Sequence, residues 1–400
     1  MLAEGHSISS TATRAQGRRG LFSGHLKEQC RKALAGGIYR SGMLRIIKPF
    51  ECSHEFYDST SLRFPRLRRS SGSKFGILCY HRVGTEGVPF HSKLDPALFE
   101  AHMRYVKQRY RVVPLGQLVR EMLVSEDVPP TLAITFDDGY RDLYIHAFPT
   151  LQKYQIPATI YLIGHCMKTG EAPWYDRIFA GFATFSGTSL ELEAGDTRRF
   201  FLDTLQARLT AAWEIVCYLR SIPDTARQQW CTAFDRKMRP MVESLERRML
   251  DWTQVRTMQA AGLFFGAHTM NHPAISQLHS SAFKAEFVDC KKLLETGLDA
   301  LVEDFAYPFG KLTDGSSASQ GFIARAGYRS AVTTIQGFNS PSANPYMLRR
   351  LQIGDECSMA SFAFNLSRLF LEATAANSSV WSPVAPAPTP IAQESEPSLL

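Results

Sequence analysis

Short apolar runs alternating with helical patterns constrain this chain more than any other feature. Eight runs read as strands, at residues 76–80, 111–113, 132–136, 158–163, 263–267, 304–307, 329–333 and 348–353. Several are apolar on both faces, as in Leu132-Ala133-Ile134, and a strand of that kind needs cover on each side. Parallel strands joined by crossover helices supply that cover. Asp95-Pro96 predicts a helix start, an N-cap followed by a proline at the first helical position, with the helix running to about Arg109. A second helix opens at Asp251 and stops at Gly262. Seven or eight such units in a chain of 400 residues predict an α/β fold built as a parallel barrel. The rhythm breaks over residues 166–250. There, two helical patterns (198–221 and 224–237) and at most a short strand at 190–192 read as a helical insertion between two barrel strands.

Charge divides the chain further. Residues 1–74 hold 14 Lys or Arg against 5 Asp or Glu, so the formal +7 of the whole belongs to this stretch; residues 75–400 hold 31 against 33. With no nucleic-acid-binding motif and no basic body, a nucleic-acid partner is not expected. Within the basic extension, Phe22, Leu26, Cys30, Leu34 and Ile38 recur every four residues, interrupted by Gly36 and Gly37. Two readings stand: a helix in peripheral contact with an anionic membrane, or an extension packed on the barrel or solvated. From residue 373 the Ala, Pro and Ser content reads as a disordered tail. No run approaches the roughly 18–20 apolar residues of a membrane span, and no apolar signal region opens the chain. Its eight cysteines are scattered, without a CxxC pair, as in a reducing compartment. The expected location is cytoplasmic, at the inner face of a membrane if the basic arm docks there.

The chemistry concentrates at two strand ends. After Leu132–Phe136 come Asp137, Asp138 and Gly139, two carboxylates side by side. Such a pair after an apolar strand is costly without a cation, although Asp-Gly is also ordinary turn chemistry. After the strand at 263–267 come His268 and His272, four residues apart and followed by Pro273. On a helical turn or in a tight loop, that spacing puts both imidazoles within reach of one ion. Two histidines and one carboxylate at the C-terminal ends of parallel strands, with an open position for water, suit a catalytic divalent ion. Zinc and Fe(II) both accept this set.

TFDDG, then HxxxH, then Phe305–Gly310 (FAYPFG) and Ala326–Val332 (AGYRSAV), in that order, resemble the polysaccharide deacetylase family of carbohydrate esterases. The likeness runs from about Phe75 to Glu356. It implies a distorted (β/α)7-type barrel and hydrolytic removal of N-acetyl groups from an amino-sugar-containing oligosaccharide, glycolipid or exopolysaccharide precursor. It further implies a divalent metal, usually Zn2+, on Asp138, His268 and His272, with Asp137 as general base and the Phe309 N–H on the oxyanion. Two departures stand out. No Arg opens the motif around Tyr307 and Pro308, where the family places one to orient the base. The late Leu-x-His motif has no His in 348–353. A branch resembling the exopolysaccharide poly-N-acetylglucosamine deacetylases lacks that late His and takes its acid from the first strand. Here that position is His81, the expected general acid.

Tyr140, Trp174, Tyr307 and Pro308 are expected to line the carbohydrate pocket, Trp174 by stacking on a sugar ring, although an aromatic pair with Tyr175 could equally anchor the insertion. His165 and His279 read as structural. An amidase acting on a small non-sugar amide, and a catalytically dead carbohydrate-binding barrel, are the alternative readings. The second of these requires loss of the base or a ligand, and all four residues are in place.

Overall fold

A computed structural model describes residues 75–85, 93–124, 128–194, 196–242, 248–354 and 357–372. The basic extension 1–74, with its periodic apolar residues, and the tail from 373 lie outside the described residues. Along the chain come β1 (Phe75–Tyr80), α1 (Pro96–Arg109), β2 (Arg111–Val112), α2 (Leu115–Val124), β3 (Thr131–Phe136), α3 (Phe148–Tyr154) and β4 (Ala158–Leu162). The insertion follows with α4 (Gly164–Thr169), α5 (Trp174–Thr184), β5 (Ser189–Ala194), β6 (Asp196–Phe201), α6 (Leu205–Leu219) and α7 (Asp224–Val242). The second half holds α8 (Trp252–Ala260), β7 (Phe264–Ala267), α9 (Cys290–Leu298), β8 (Asp304–Ala306), α10 (Ser317–Arg325), β9 (Ser330–Gln336), β10 (Leu348–Gln352) and α11 (Met359–Glu372).

Seven strands close a parallel barrel in the order β1-β3-β4-β7-β8-β9-β10, and β10 returns to β1 through Leu78 opposite Leu351. The expected distorted (β/α)7-type barrel is therefore present. Of the eight strand candidates, 111–113 stays outside the ring. Its two residues pair only with the start of β3, Arg111 opposite Thr131, before Pro114 ends the run.

β1 and β3 are buried at all six positions each, as strands covered on both faces must be. Their inward side chains Ile77 and Ala133 join Tyr161, Ala306, Val332 and Leu348 in the barrel interior. Helix α2 plugs one end with Leu115, Leu118, Val119 and Met122. Gly266 of β7 admits the Tyr161 ring; a Cβ there would meet that ring at 2.5 Å. The expected helix starts also form. Asp95 accepts from the Ala97 and Leu98 N–H groups, and Asp251 and Gln254 make a reciprocal capping box.

The segment between β4 and β7 contains the short strand expected at 190–192, but the helical reading from 198 gives way to a second strand. Residues 189–201 form an antiparallel hairpin, with Ser189 opposite Phe201, and α6 begins only at Leu205 under the Thr204 cap. The reason is alternation. Leu190 and Phe200 point into the insertion's core, while Glu191, Arg199 and Phe201 face solvent. Period-two burial overrides the modest helical preference of these residues. The insertion has its own apolar cluster, built from Ile178, Phe182, Ile215, Val216 and Phe234, and its edge reaches Trp174, Tyr175 and Phe309.

Candidate active site

The TFDDG segment turns sharply at the end of β3. Asp137 N–H donates to the Tyr80 carbonyl, continuing the β1–β3 ladder one residue beyond the strands. Asp138 and Gly139 then take left-handed backbone, φ 71° and 78°. Aspartate tolerates that region and glycine prefers it. Glycine is also required by space, since a Cβ at Gly139 would meet Leu162 at 2.7 Å. The chain leaving the insertion secures this turn: Leu250 N–H donates to the Gly139 carbonyl, and Arg141 N–H to that of Arg248.

His268 and His272 sit in a tight loop after β7, one of the two local conformations that their spacing allowed. Thr269 and His272 have φ of 63° and 52°, and the Thr269 hydroxyl accepts from the His272 N–H at 3.0 Å. Buried Glu286 accepts from the backbone N–H groups of Met270 and Asn271 at 2.9 and 3.0 Å, and from the Asn271 amide at 2.8 Å. Four of the six non-glycine residues with positive φ among the described residues are Asp138, Thr269, His272 and Phe309. Each such conformation costs on the order of 1–3 kcal/mol. Strain is thus concentrated where the chemistry would be.

The loops bring Asp138, His268 and His272 together. Asp138 Oδ1 lies 3.5 Å from His268 Nε2 and 3.4 Å from His272 Nε2, and all three residues are buried. The imidazoles stand nearly perpendicular with ring centres 4.7 Å apart. His268 Nδ1 lies 2.8 Å from the Ala306 carbonyl. A carbonyl only accepts, so Nδ1 carries the hydrogen and Nε2 turns a lone pair towards Asp138. Burial lowers the His268 pKa to about 4, which keeps that lone pair free of a proton. Burial, reinforced by the charge of Asp137, pushes the Asp138 carboxyl well up. A carboxylate in that position needs a cation to stay ionised. Donor types, spacing and electrostatics therefore fit a divalent ion.

Asp137 is held differently. Arg350 of β10, fully buried, donates from Nη1 to Oδ1 at 2.7 Å and from Nη2 to Oδ2 at 2.6 Å. The same guanidinium donates to the Thr333 carbonyl at 2.7 Å and the Thr135 hydroxyl at 3.1 Å, which fixes its plane. Burial alone would raise the Asp137 pKa, but the charge and hydrogen bonds of Arg350 override it and hold the carboxyl well below the usual range. His81 reaches the other side, its Nε2 3.9 Å from Oδ2, with a quarter of its side chain exposed. Burial lowers the His81 pKa against the opposing pull of Asp137.

Phe309 is half-buried on the loop after β8, with φ 57°. Its ring meets His272 edge-on at 4.8 Å, and the Arg220 guanidinium of the insertion covers it at 3.9 Å. No carbonyl among the described residues accepts its N–H.

The remaining aromatic candidates are walls and not open faces. Trp174 is 4% exposed, donates its indole N–H to the His272 carbonyl at 3.0 Å, and has Arg227 over its ring at 4.9 Å. A ring so covered does not stack on a sugar; it positions the His272 backbone. Tyr140 is fully buried beneath Arg82, and Tyr307 is buried with its hydroxyl on the Tyr346 carbonyl. Pro308 is buried as well.

Two positioning residues escaped the sequence reading. Arg350 supplies the contact whose absence around Tyr307 and Pro308 had stood out, from a strand 43 positions further along the chain than Tyr307. A signal existed: Arg349 and Arg350 are adjacent in an apolar strand, so alternation must turn one of them into the barrel. Glu286 carried none, being one acidic residue on an amphipathic stretch.

These features define a barrel hydrolase with its reactive groups at the C-terminal mouth, among donors suited to a divalent ion. The family model for polysaccharide deacetylases matches residues 125–330, just over half of the chain, and the chain belongs to that family. Such enzymes hydrolyse amides of carbohydrates, and the family uses a divalent metal. YxkH of Bacillus subtilis (strain 168), a protein classed among the polysaccharide deacetylases, is 21% identical over 300 residues, covering 74% of this chain and 77% of its own. The Streptococcus pyogenes deacetylase PplD, solved with acetate, shares the fold at a TM-score of 0.51 and 20% identity, covering 74% of this chain and 98% of its own. IcaB from Ammonifex degensii aligns at a TM-score of 0.46 and 18% identity over 73% of this chain and 98% of its own.

Proposed function

We propose that this protein removes N-acetyl groups from an amino-sugar-containing oligosaccharide, glycolipid or exopolysaccharide precursor. One observation carries the reading: Asp137, locked by Arg350, stands beside the Asp138–His268–His272 cluster with His81 facing it 3.9 Å away. Asp138, His268 and His272 would hold the ion; the family resemblance favours zinc, while the donor set itself also accepts Fe(II). When bound, such an ion supplies Lewis-acid chemistry, polarising an acetyl carbonyl and making a neighbouring water more acidic. Asp137 takes the proton of that water as it attacks the carbonyl carbon. The Arg350 clamp keeps the carboxylate ionised and aimed, so no rearrangement is needed during the reaction. The Phe309 N–H donates to the oxygen that gains negative charge. His81 delivers a proton to the nitrogen as the C–N bond breaks, leaving acetate and a free amine.

The test is chromatography of N-acetylglucosamine oligosaccharides incubated with the protein and added zinc. Acetate and amine released in equal amounts support the reading. Cleavage of a small non-sugar amide without release from any oligosaccharide rejects it. Metal analysis of the purified protein separates zinc from Fe(II).

A further inference from the structure

Cys79 lies at the barrel mouth and takes no part in the proposed chemistry. It is the next-to-last residue of β1, fully buried, and alternation along the strand turns it to the same side as His81. Its thiol donates to Asp137 Oδ2 at 3.6 Å, and His81 Nε2 lies 3.9 Å from the same oxygen. The Cys79 sulfur, a His81 ring nitrogen and an Asp137 oxygen all fall within 4.8 Å of one another. Ligands on a tetrahedral ion with bonds of roughly 2.0–2.3 Å are separated by roughly 3.3–3.8 Å. The two measured spacings are therefore close to the edges of such a tetrahedron. Arg350 occupies Asp137 from the other side and takes one lone pair of Oδ2, while a second accepts the Cys79 thiol. The partly exposed His81 gives access from solvent.

We propose that Cys79, His81 and Asp137 form a second, inhibitory metal site, filled by a soft divalent ion present in excess over the one at Asp138, His268 and His272. The ion replaces the thiol proton, which is released to solvent as the metal–sulfur bond forms; nothing is oxidised or reduced. Thiolate and imidazole select zinc, cobalt or cadmium over magnesium and calcium. Binding follows from the three side chains alone. That it inhibits rests on the reading of Asp137 as base and His81 as acid, because the ion occupies both.

Cobalt titration of the full chain, followed by absorption, tests the site. The first equivalent should give visible bands without a thiolate-to-cobalt band. The second should raise that band in the near ultraviolet, and Cys79→Ser and Cys79→Ala should each lack it. In turnover assays excess zinc should inhibit the wild type, both variants should require about tenfold more zinc or higher, and excess magnesium should inhibit none of them. A second equivalent without the band, a band surviving both substitutions, or unchanged zinc inhibition would overturn the site. A Cys79-dependent band in a chain that deacetylates nothing rejects the proposed function and leaves the site standing. An active chain without the band does the reverse.

Discussion

Arg350 crosses the barrel interior from β10 to grip both carboxylate oxygens of Asp137, at 2.7 and 2.6 Å. Both groups are withdrawn from water, at 0% and 2% side-chain exposure. A buried pair of this kind adds little net stability, yet removing one partner strands the other, at a cost of about 3–5 kcal/mol. Arg350→Met should therefore lose unfolding free energy of about that size in a denaturant titration, and adding Asp137→Asn should recover part of the loss. Additive losses in the double variant would contradict the coupling.

Arg350→Lys keeps the charge and loses the fork. Lysine cannot give two parallel bonds to one carboxylate. Turnover should fall about 100-fold or more with KM little changed, because the clamp aims the base and binds no sugar. A KM rise with kcat intact would place Arg350 in substrate binding instead.

Glu286 holds the HxxxH loop by its backbone. Glu286→Ala should weaken metal affinity about 10–100-fold, measured by competition with a chromophoric chelator. Unchanged affinity would show that the loop is set by Thr269 and its neighbours alone.

Asp176 on α5 is 3% exposed, and burial pushes its pKa up to about 6 against the pull of Arg82 and Tyr140. An unfolded aspartate titrates near 3.9. Between about pH 4 and 6 the folded chain keeps a proton that the unfolded chain has lost. Its stability therefore declines as pH rises through that window and levels off above it, by roughly 3 kcal/mol. Asp176→Asn should remove this slope, leaving the variant roughly 2–3 kcal/mol more stable than wild type at pH 7.5 and level with it near pH 4. Equal stabilities at both pH values would mean that Asp176 is ionised at no cost.

Of the two readings of the basic stretch 1–74, the membrane-docking one predicts binding to anionic liposomes and the packed or solvated one does not. In flotation the full chain should rise with anionic vesicles and a chain starting at Lys74 should not. Equal behaviour of the two would remove the membrane role.

Much of this site was legible in the sequence because its parts sit just after apolar strands. Asp137, Asp138, His268 and His272 follow β3 and β7 directly, so locating the strands located the residues. His81 also follows a strand, β1, but it was the resemblance to a branch lacking the late His that singled it out. What stayed hidden depended on which way a side chain turns or what covers it. Alternation tells that one of Arg349 and Arg350 turns inward, but that it is Arg350 and that it meets Asp137 is seen only once the barrel closes. Trp174 reads equally as a sugar platform or as an anchor of the insertion, and only its contacts with Arg227 and His272 favour the anchor. Of the hairpin at 189–201, the first strand was legible at 190–192, while the second was read as the start of a helix because its inward Phe200 is set apart only by burial against the insertion's core.

The proposed deacetylation requires Asp137 as its base. Asp137→Asn keeps the shape of the side chain and should leave the Asp138–His268–His272 donors and their metal content intact. Acetate release from N-acetylglucosamine oligosaccharides, assayed beside metal content, should fall to background for this variant while the wild type turns over. Release at a wild-type rate from Asp137→Asn would rule out Asp137 as the base.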